Sequence, residues 1–122
     1  MQLEALKYLF DIEQASRLLV QFCAGKTLAN YQSDALLRSG VERQFILIGE
    51  ALRRLVNTEP DVAAGITAHR QIIDFRNILV HGYDVIRDER VWDILQNHLH
   101  ILLAEVEALR RKGDVEQEDQ TD

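Results

Sequence analysis

Hydrophobic residues recur along this chain at the spacing of amphipathic helices. Between residues 3 and 22, apolar positions return every three or four residues, with charged and amide side chains between them. Gly25 follows this segment, as glycine commonly does at the C-terminus of a helix. The pattern predicts a first helix of about six turns. The next stretch, GKTLANYQSD, favours a loop with one short turn.

The second predicted helix has the most regular apolar seam of the chain. Its members are separated by four, three, four and three residues: Val41, Phe45, Ile48, Leu52 and Leu55. Gly49 lies inside this helix, where it costs about 1 kcal/mol relative to alanine, so we expect it to mark the close approach of another helix. Asn30, Ser33 and Asp34 precede the helix and are its candidate N-caps.

Two further long helices complete the pattern. The third should span residues 67–82, and because it is apolar on nearly all sides we expect it to be buried. The last should run from about residue 88 to residue 112, with acids early and bases late, which suits the helix dipole. No strand pattern is present in the sequence. We therefore predict an all-α fold, an up-and-down bundle of four main helices plus short helical turns.

Length and charge indicate the domain organisation. A chain of 122 residues fits one domain, which buries roughly two thirds of the surface that its unfolded form exposes. The formal net charge is −6, and five of these charges lie in the last nine residues, DVEQEDQTD, so residues 1–113 carry −1. We expect a helical domain over residues 1–113 and an acidic, disordered tail over residues 114–122.

Other features of the sequence indicate in which cellular compartment the protein is expected. Cys23 is the only cysteine and stands among apolar residues, so we expect a buried thiol and no internal disulfide. No apolar run approaches the ~20 residues of a membrane span, and acids stand near the N-terminus where a signal peptide would carry bases. His98 and His100 face apart on a helix, and neither a metal site nor a cofactor is expected. These features predict a cytoplasmic protein that does not associate with membranes.

One stretch of the third helix, DFRNILVHGY (residues 74–83), carries the candidate chemistry. At about 100° per residue, Asn77 and His81 lie roughly 40° apart on one helix face, and the long side chain of Arg76 can reach the same face. Cleavage of RNA without a metal needs a base for the ribose 2′-OH, an acid for the leaving oxygen and a cation for the phosphorane. His81 can act as base or acid, Arg76 can supply the cation, and Asn77 can orient either partner or the phosphate.

The same residues allow other interpretations. One histidine cannot easily serve both proton transfers, which favours a second copy of the chain across a two-fold axis. Alternatively, the three side chains satisfy loop carbonyls or pair with Asp74, Asp84 or Glu50. The near-neutral domain also lacks the basic stripe of single-strand binders. A second hypothesis is therefore a non-catalytic, dimeric helical module that binds a nucleotide or a partner protein.

Four stretches of the chain are similar to recurrent segments of one known family. Arg76, His81 and Tyr83 match an R-x4-H-x-Y signature, and Asn77 stands where an asparagine commonly follows the arginine. The other stretches are YLFDIEQA, ERQFILIGEAL and VWDIL, in the family's order, so that the likeness covers roughly residues 3–110. The sequence thus resembles the HepT-like proteins, a branch of the HEPN superfamily of prokaryotic toxin ribonucleases. It departs where a tryptophan often precedes the motif helix, since His69 stands at or near that place.

The resemblance implies a function and two kinds of partner. The chain would form a homodimer in which two R-x4-H motifs meet in a cleft and cut RNA without a metal, with Arg76 and His81 catalytic. Such toxins are typically encoded beside an antitoxin, a minimal nucleotidyltransferase of the MNT type, which binds them and can transfer AMP from ATP to the motif tyrosine. Tyr83 is the matching acceptor. A bulky anionic adduct two residues from His81 would block and repel an RNA phosphate.

Overall fold

The computed structural model describes residues 1–82 and 86–120, and every regular element within these ranges is an α-helix. In chain order they are α1 (Leu3–Cys23), α2 (Leu28–Ser33), α3 (Ala35–Thr58), α4 (Pro60–Ala63), α5 (His69–His81), α6 (Asp88–Asn97) and α7 (Leu99–Gln120). The predicted all-α class is confirmed. The four main helices of the prediction correspond to α1, α3, α5 and the consecutive pair α6 and α7.

The hydrophobic core is organised around α3, which packs against both α1 and α5, while α1 also packs against α7. All five residues of the predicted α3 seam are buried. They join buried residues of α1 and α7, among them Leu9, Ile12 and Val106, in one cluster. Burial of each such side chain stabilises the fold by about 1.5–3 kcal/mol. Residues on the surface of α3 are therefore held in place by a helix that is well anchored in the core.

The chain between α1 and α3 is more ordered than the sequence indicated. Residues predicted as a loop form the six-residue helix α2. Its N-terminus is closed by a capping box, in which Thr27 Oγ1 accepts from the Asn30 amide at 3.1 Å and the Asn30 side chain accepts from the Thr27 amide at 2.9 Å. Asp34 caps α3 by accepting from the Leu37 amide at 3.1 Å, which confirms one of the three candidate N-caps.

The last predicted helix is two helices, so the expectation of one continuous element was wrong. His98 separates α6 from α7, with φ −122° and ψ −28°. The break turns α6 towards α2, where the Trp92 ring lies 5.7 Å from the ring of Tyr31. No glycine or proline stands at the break, so the sequence pattern did not reveal it.

The acidic C-terminal segment is helical as far as Gln120, so the expected disorder is not found in the part of it that the structure describes. Its side chains have partners: Asp114 pairs with Arg110 at 3.1 Å, and Glu116 pairs with the amino group of Met1 at 3.0 Å. The Gln117 amide also donates to the Met1 carbonyl at 2.7 Å. These contacts continue α7 beyond residue 113, where the sequence placed the domain boundary.

The motif helix α5 is less buried than predicted. Of its residues only Phe75 is buried, with its ring edge-on to Phe45 at 5.2 Å. Among the described elements α5 packs chiefly against α3, so its outer side stays open, and Val80 is 44% exposed. The expectation of a fully buried helix was therefore wrong for a single chain. No helix in residues 1–82 or 86–120 combines the length and apolar character needed to cross a membrane.

Candidate active site on α5

The local sequence ends α5 directly after His81. Gly82 adopts the left-handed conformation with φ 62°, and its amide donates to the Ile78 carbonyl at 2.9 Å. Glycine tolerates this conformation without the steric cost of a Cβ. His81 is consequently the last helical residue, and it is exposed at the end of α5. His69 stands at the other end as the first helical residue, with its ring Nδ1 2.9 Å from the Ile66 carbonyl.

Arg76 reaches across to Asn77, as the helical spacing predicted. One terminal nitrogen of the guanidinium, Nη1, donates to Asn77 Oδ1 at 3.0 Å. The other, Nη2, donates to Glu50 Oε2 on α3 at 2.8 Å. The Arg76 side chain is only 19% exposed. The cation therefore has a fixed direction beside Asn77, about 1.4 helical turns from His81.

The carboxylate of Glu50 forms ion pairs with three arginines. Besides Arg76, it pairs with Arg53 Nη2 at 2.9 Å and Arg54 Nε at 3.2 Å, both on its own helix. The hydrogen bond and the charge of Arg53, with a hydrogen bond from Arg54 and the charge of Arg76, outweigh partial burial and lower the pKa of the Glu50 carboxyl. Three guanidinium groups around one carboxylate leave a formal charge of +2 at the surface between α3 and α5. A phosphate is the kind of group that such a surface attracts.

Gly49 lets α5 lie against α3, which confirms the close approach predicted for it. A Cβ at position 49 would stand 2.2 Å from Arg76 Cβ and 2.6 Å from its Cγ. No real side chain fits at such distances. The aliphatic stem of Arg76 thus lies directly over the α3 backbone, next to Glu50.

Comparison with known proteins identifies the family of this chain. The model of the family described as "Ribonuclease HepT-like" matches residues 12–109, which include all of α3, α5 and α6. The chain belongs to the HepT-like ribonuclease family. Family membership makes this protein a ribonuclease. Among curated proteins it is similar to "Putative RNase MJ0127" of Methanocaldococcus jannaschii, with 27% identity over 117 residues, covering 93% of this chain and 91% of the relative. No solved structure matches it significantly.

The structure brings together some of the predicted HepT-like site residues. Arg76 and Asn77 are in contact, and Arg76 pairs with Glu50, which is one of the acids weighed as structural partners. Tyr83 and Asp84 lie outside the described residues. Arg53 and Arg54 were not among the predicted site residues, although their shared contact with Glu50 follows from helical i, i+3 and i, i+4 spacing, which the sequence does contain.

Proposed function

We infer that this HepT-like ribonuclease cleaves RNA without a metal ion, with Arg76 and His81 as catalytic residues and Asn77 in support. The observation that carries this proposal is the fixed guanidinium of Arg76, held beside Asn77 on the helix that ends at His81. In the reaction the ribose 2′-oxygen attacks the adjacent phosphorus and the 5′-oxygen leaves. His81 transfers a proton in one of these steps, and Arg76 stabilises the charge on the phosphorane.

The charged surface beside the motif supports an RNA substrate. Arg53 and Arg54 are exposed on α3 next to the contact between Glu50 and Arg76. They are placed to bind phosphates that flank the scissile one, although residues 1–113 carry a net charge of only −1. Few such contacts give modest affinity with a clear salt dependence.

The active form is proposed to be a homodimer that joins two motifs in one cleft. Asn77, Val80 and His81 share the outer side of α5 by helical spacing, and Val80 is 44% exposed there. An exposed apolar residue beside the motif suits a contact with a second chain better than contact with water. A second histidine from the partner copy would provide the proton transfer that one His81 cannot.

Val80→Arg should convert the dimer into a monomer and lower RNA cleavage by at least about 10-fold. Arginine suits the last turn of a helix and does not repel RNA, so a loss of activity would come from separating the two motifs. Val20→Arg is the matched control, because Val20 is 48% exposed on α1. Sedimentation velocity and cleavage rates would be measured for both variants. A Val80→Arg protein that stays dimeric, or a monomer with full activity, would contradict the proposed cleft.

The biological role is proposed to be that of a cytoplasmic toxin controlled by an MNT-type nucleotidyltransferase antitoxin. The R-x4-H-x-Y signature supports this role, since Tyr83 directly follows Gly82, whose left-handed conformation ends α5. In the modification the Tyr83 phenol oxygen attacks the α-phosphorus of ATP, pyrophosphate leaves, and the phenol proton passes to solvent. The added anion near His81 would exclude an RNA phosphate.

Induced expression of the wild-type chain should arrest bacterial growth, and co-expression of the MNT-type partner should restore it. Intact-mass measurement should show one or more AMP units on the wild-type chain and none on Tyr83→Phe. The Tyr83→Phe chain should keep its toxicity when a catalytically active partner is present. Tyr8→Phe, on α1, is the control and should still be modified. A Tyr83→Phe chain with the same mass gain would assign the acceptor to another residue.

A second candidate is a non-catalytic module, favoured by the fact that the Arg76 guanidinium already contacts Glu50 and Asn77. These contacts are what a purely structural arginine would make. Normal growth with every variant, together with no cleavage of RNA by the purified chain, would favour this candidate. The next measurement would then be nucleotide binding by the dimer.

A further inference from the structure

We propose that Gly49 and Glu50 of α3 are positioning residues for Arg76: Gly49 gives its aliphatic stem a place against α3, and Glu50 fixes the direction of its guanidinium towards the scissile phosphate. The inference rests on the proposed catalytic role of Arg76. It adds that the α3 residues set the geometry of the cation without themselves contacting the RNA. Neither residue belongs to the R-x4-H-x-Y signature.

The first step of the argument is the position of the Arg76 stem. Gly49 is buried within α3, and a Cβ there would overlap Arg76 Cβ at 2.2 Å. The Ile72 carbonyl, one turn earlier on α5, would lie 3.5 Å from the same Cβ. The glycine therefore allows the two helix backbones to approach where Arg76 leaves α5. A larger residue would move the origin of the guanidinium away from α3.

The second step concerns the two carboxylate oxygens of Glu50, which accept hydrogen bonds from different helices. Oε1 accepts from Arg53 and Arg54 at 2.9 and 3.2 Å, both within the same helix. Oε2 accepts from Arg76 at 2.8 Å. Because Oε1 is held by neighbours three and four residues away, Oε2 is oriented towards α5 before Arg76 contacts it. The carboxylate is thus pre-organised by its own helix.

The third step concerns the N–H groups that Arg76 can still offer. A guanidinium carries five N–H groups. Nη1 uses one for Asn77 and Nη2 uses one for Glu50, while Nε is buried and has no partner among the described residues. Each terminal nitrogen keeps a second N–H that can donate to a phosphate oxygen.

The orientation of Arg76 matters because a cation stabilises the phosphorane best when its N–H groups already point at the phosphate oxygens before the reaction. Donors that are already in place need no reorganisation as charge develops, and a misplacement of about 1 Å can cost up to about 100-fold in rate. Losing the Glu50 charge would free Arg76 to move, without removing any cation from the surface. The expected consequence is a lower kcat with little change in KM.

Kinetics of RNA cleavage would test this inference through a double-mutant cycle. Glu50→Gln should lower kcat by about 10- to 100-fold and change KM by less than about three-fold, whereas Glu42→Gln, which removes the same charge from α3, should match the wild type. In an Arg76→Ala background, measured with enzyme in excess over labelled RNA, Glu50→Gln should cause no further loss. An equal loss in both backgrounds would show that Glu50 acts independently of Arg76 and would overturn the inference.

A second measurement tests positioning without relying on activity. Arginine side-chain ¹⁵N NMR of the wild type should show separate, slowly exchanging Nη signals for Arg76, assigned by their absence in Arg76→Lys. Glu50→Gln should merge them, and Gly49→Ala should shift them. If the wild-type protein cleaves no RNA, the proposed function is refuted. The NMR measurement would then still decide whether Glu50 and Gly49 position Arg76. Nη signals of Arg76 that are unaffected by Glu50→Gln would overturn the positioning inference itself.

Discussion

His81→Ala should lower the rate of RNA cleavage by about 10²–10⁴-fold, and Arg76→Ala by about 10²–10³-fold. His81 is exposed at the end of α5, so its removal leaves the core intact and takes away the proposed proton transfer. Arg76 is the cation next to Asn77, and its loss removes the group that would stabilise the phosphorane. The rates would be measured on labelled RNA in the presence of a metal chelator, beside circular dichroism spectra.

Two surface substitutions separate this expectation from a general loss of structure. His100→Ala removes an exposed histidine from α7, and Arg111→Ala removes an arginine whose side chain is 74% exposed. Both variants should cleave at the wild-type rate. Equal cleavage by His81→Ala would contradict the catalytic role of His81 and would point to a contaminating nuclease. Lost helicity in the His81 variant would contradict the exposed position on which the prediction depends.

The sequence predicted well those features that depend on local spacing. The α3 seam, the cap at Asp34, the close approach at Gly49 and the end of α5 at Gly82 are all found where they were expected. Each depends on residues within one or two turns of one another, or on a property of glycine itself. The contact of Arg76 with Asn77 belongs to the same class, because a long side chain on a helix reaches its neighbours.

Features that depend on contacts between distant segments were missed. The burial of α5 was overestimated. Its apolar residues show that the helix has a large hydrophobic surface, but they do not show which other element packs against that surface. The end of the chain was expected to be disordered from its charge alone, but Glu116 pairs with the amino group of Met1. The pairing of Arg76 with Glu50 joins residues 26 positions apart. From the sequence, Glu50 was one of three candidate acidic partners, and no feature of the sequence identified which of them pairs with Arg76.

The buried acid Glu13 shows the same limit, and nothing in the sequence distinguished it from other acids on α1. Its side chain is 3% exposed and holds α1 to α7, accepting from Arg17 at 2.9 Å and from both Nη2 and Nε of Arg110. Burial acts to raise the pKa of the Glu13 carboxyl, but the hydrogen bonds from Arg110 and Arg17 outweigh it and hold the pKa below its ordinary value of 4.5. The ionised form therefore favours the folded state.

Glu13→Gln should lower the free energy of unfolding at pH 7 by about 3 kcal/mol, because it removes the charge that two arginines require at this place. The control Glu107→Gln, which also contacts Arg17 but is 23% exposed, should cost at most about 1 kcal/mol. Since the folded-state pKa of Glu13 is lowered, its contribution is complete above about pH 4.5 and is lost as the pH falls through the folded value. Urea unfolding at several pH values should therefore show the difference between wild type and Glu13→Gln shrinking below pH 4.5. A difference that stays constant down to pH 3 would mean that the shape of the side chain, and not its charge, joins α1 to α7.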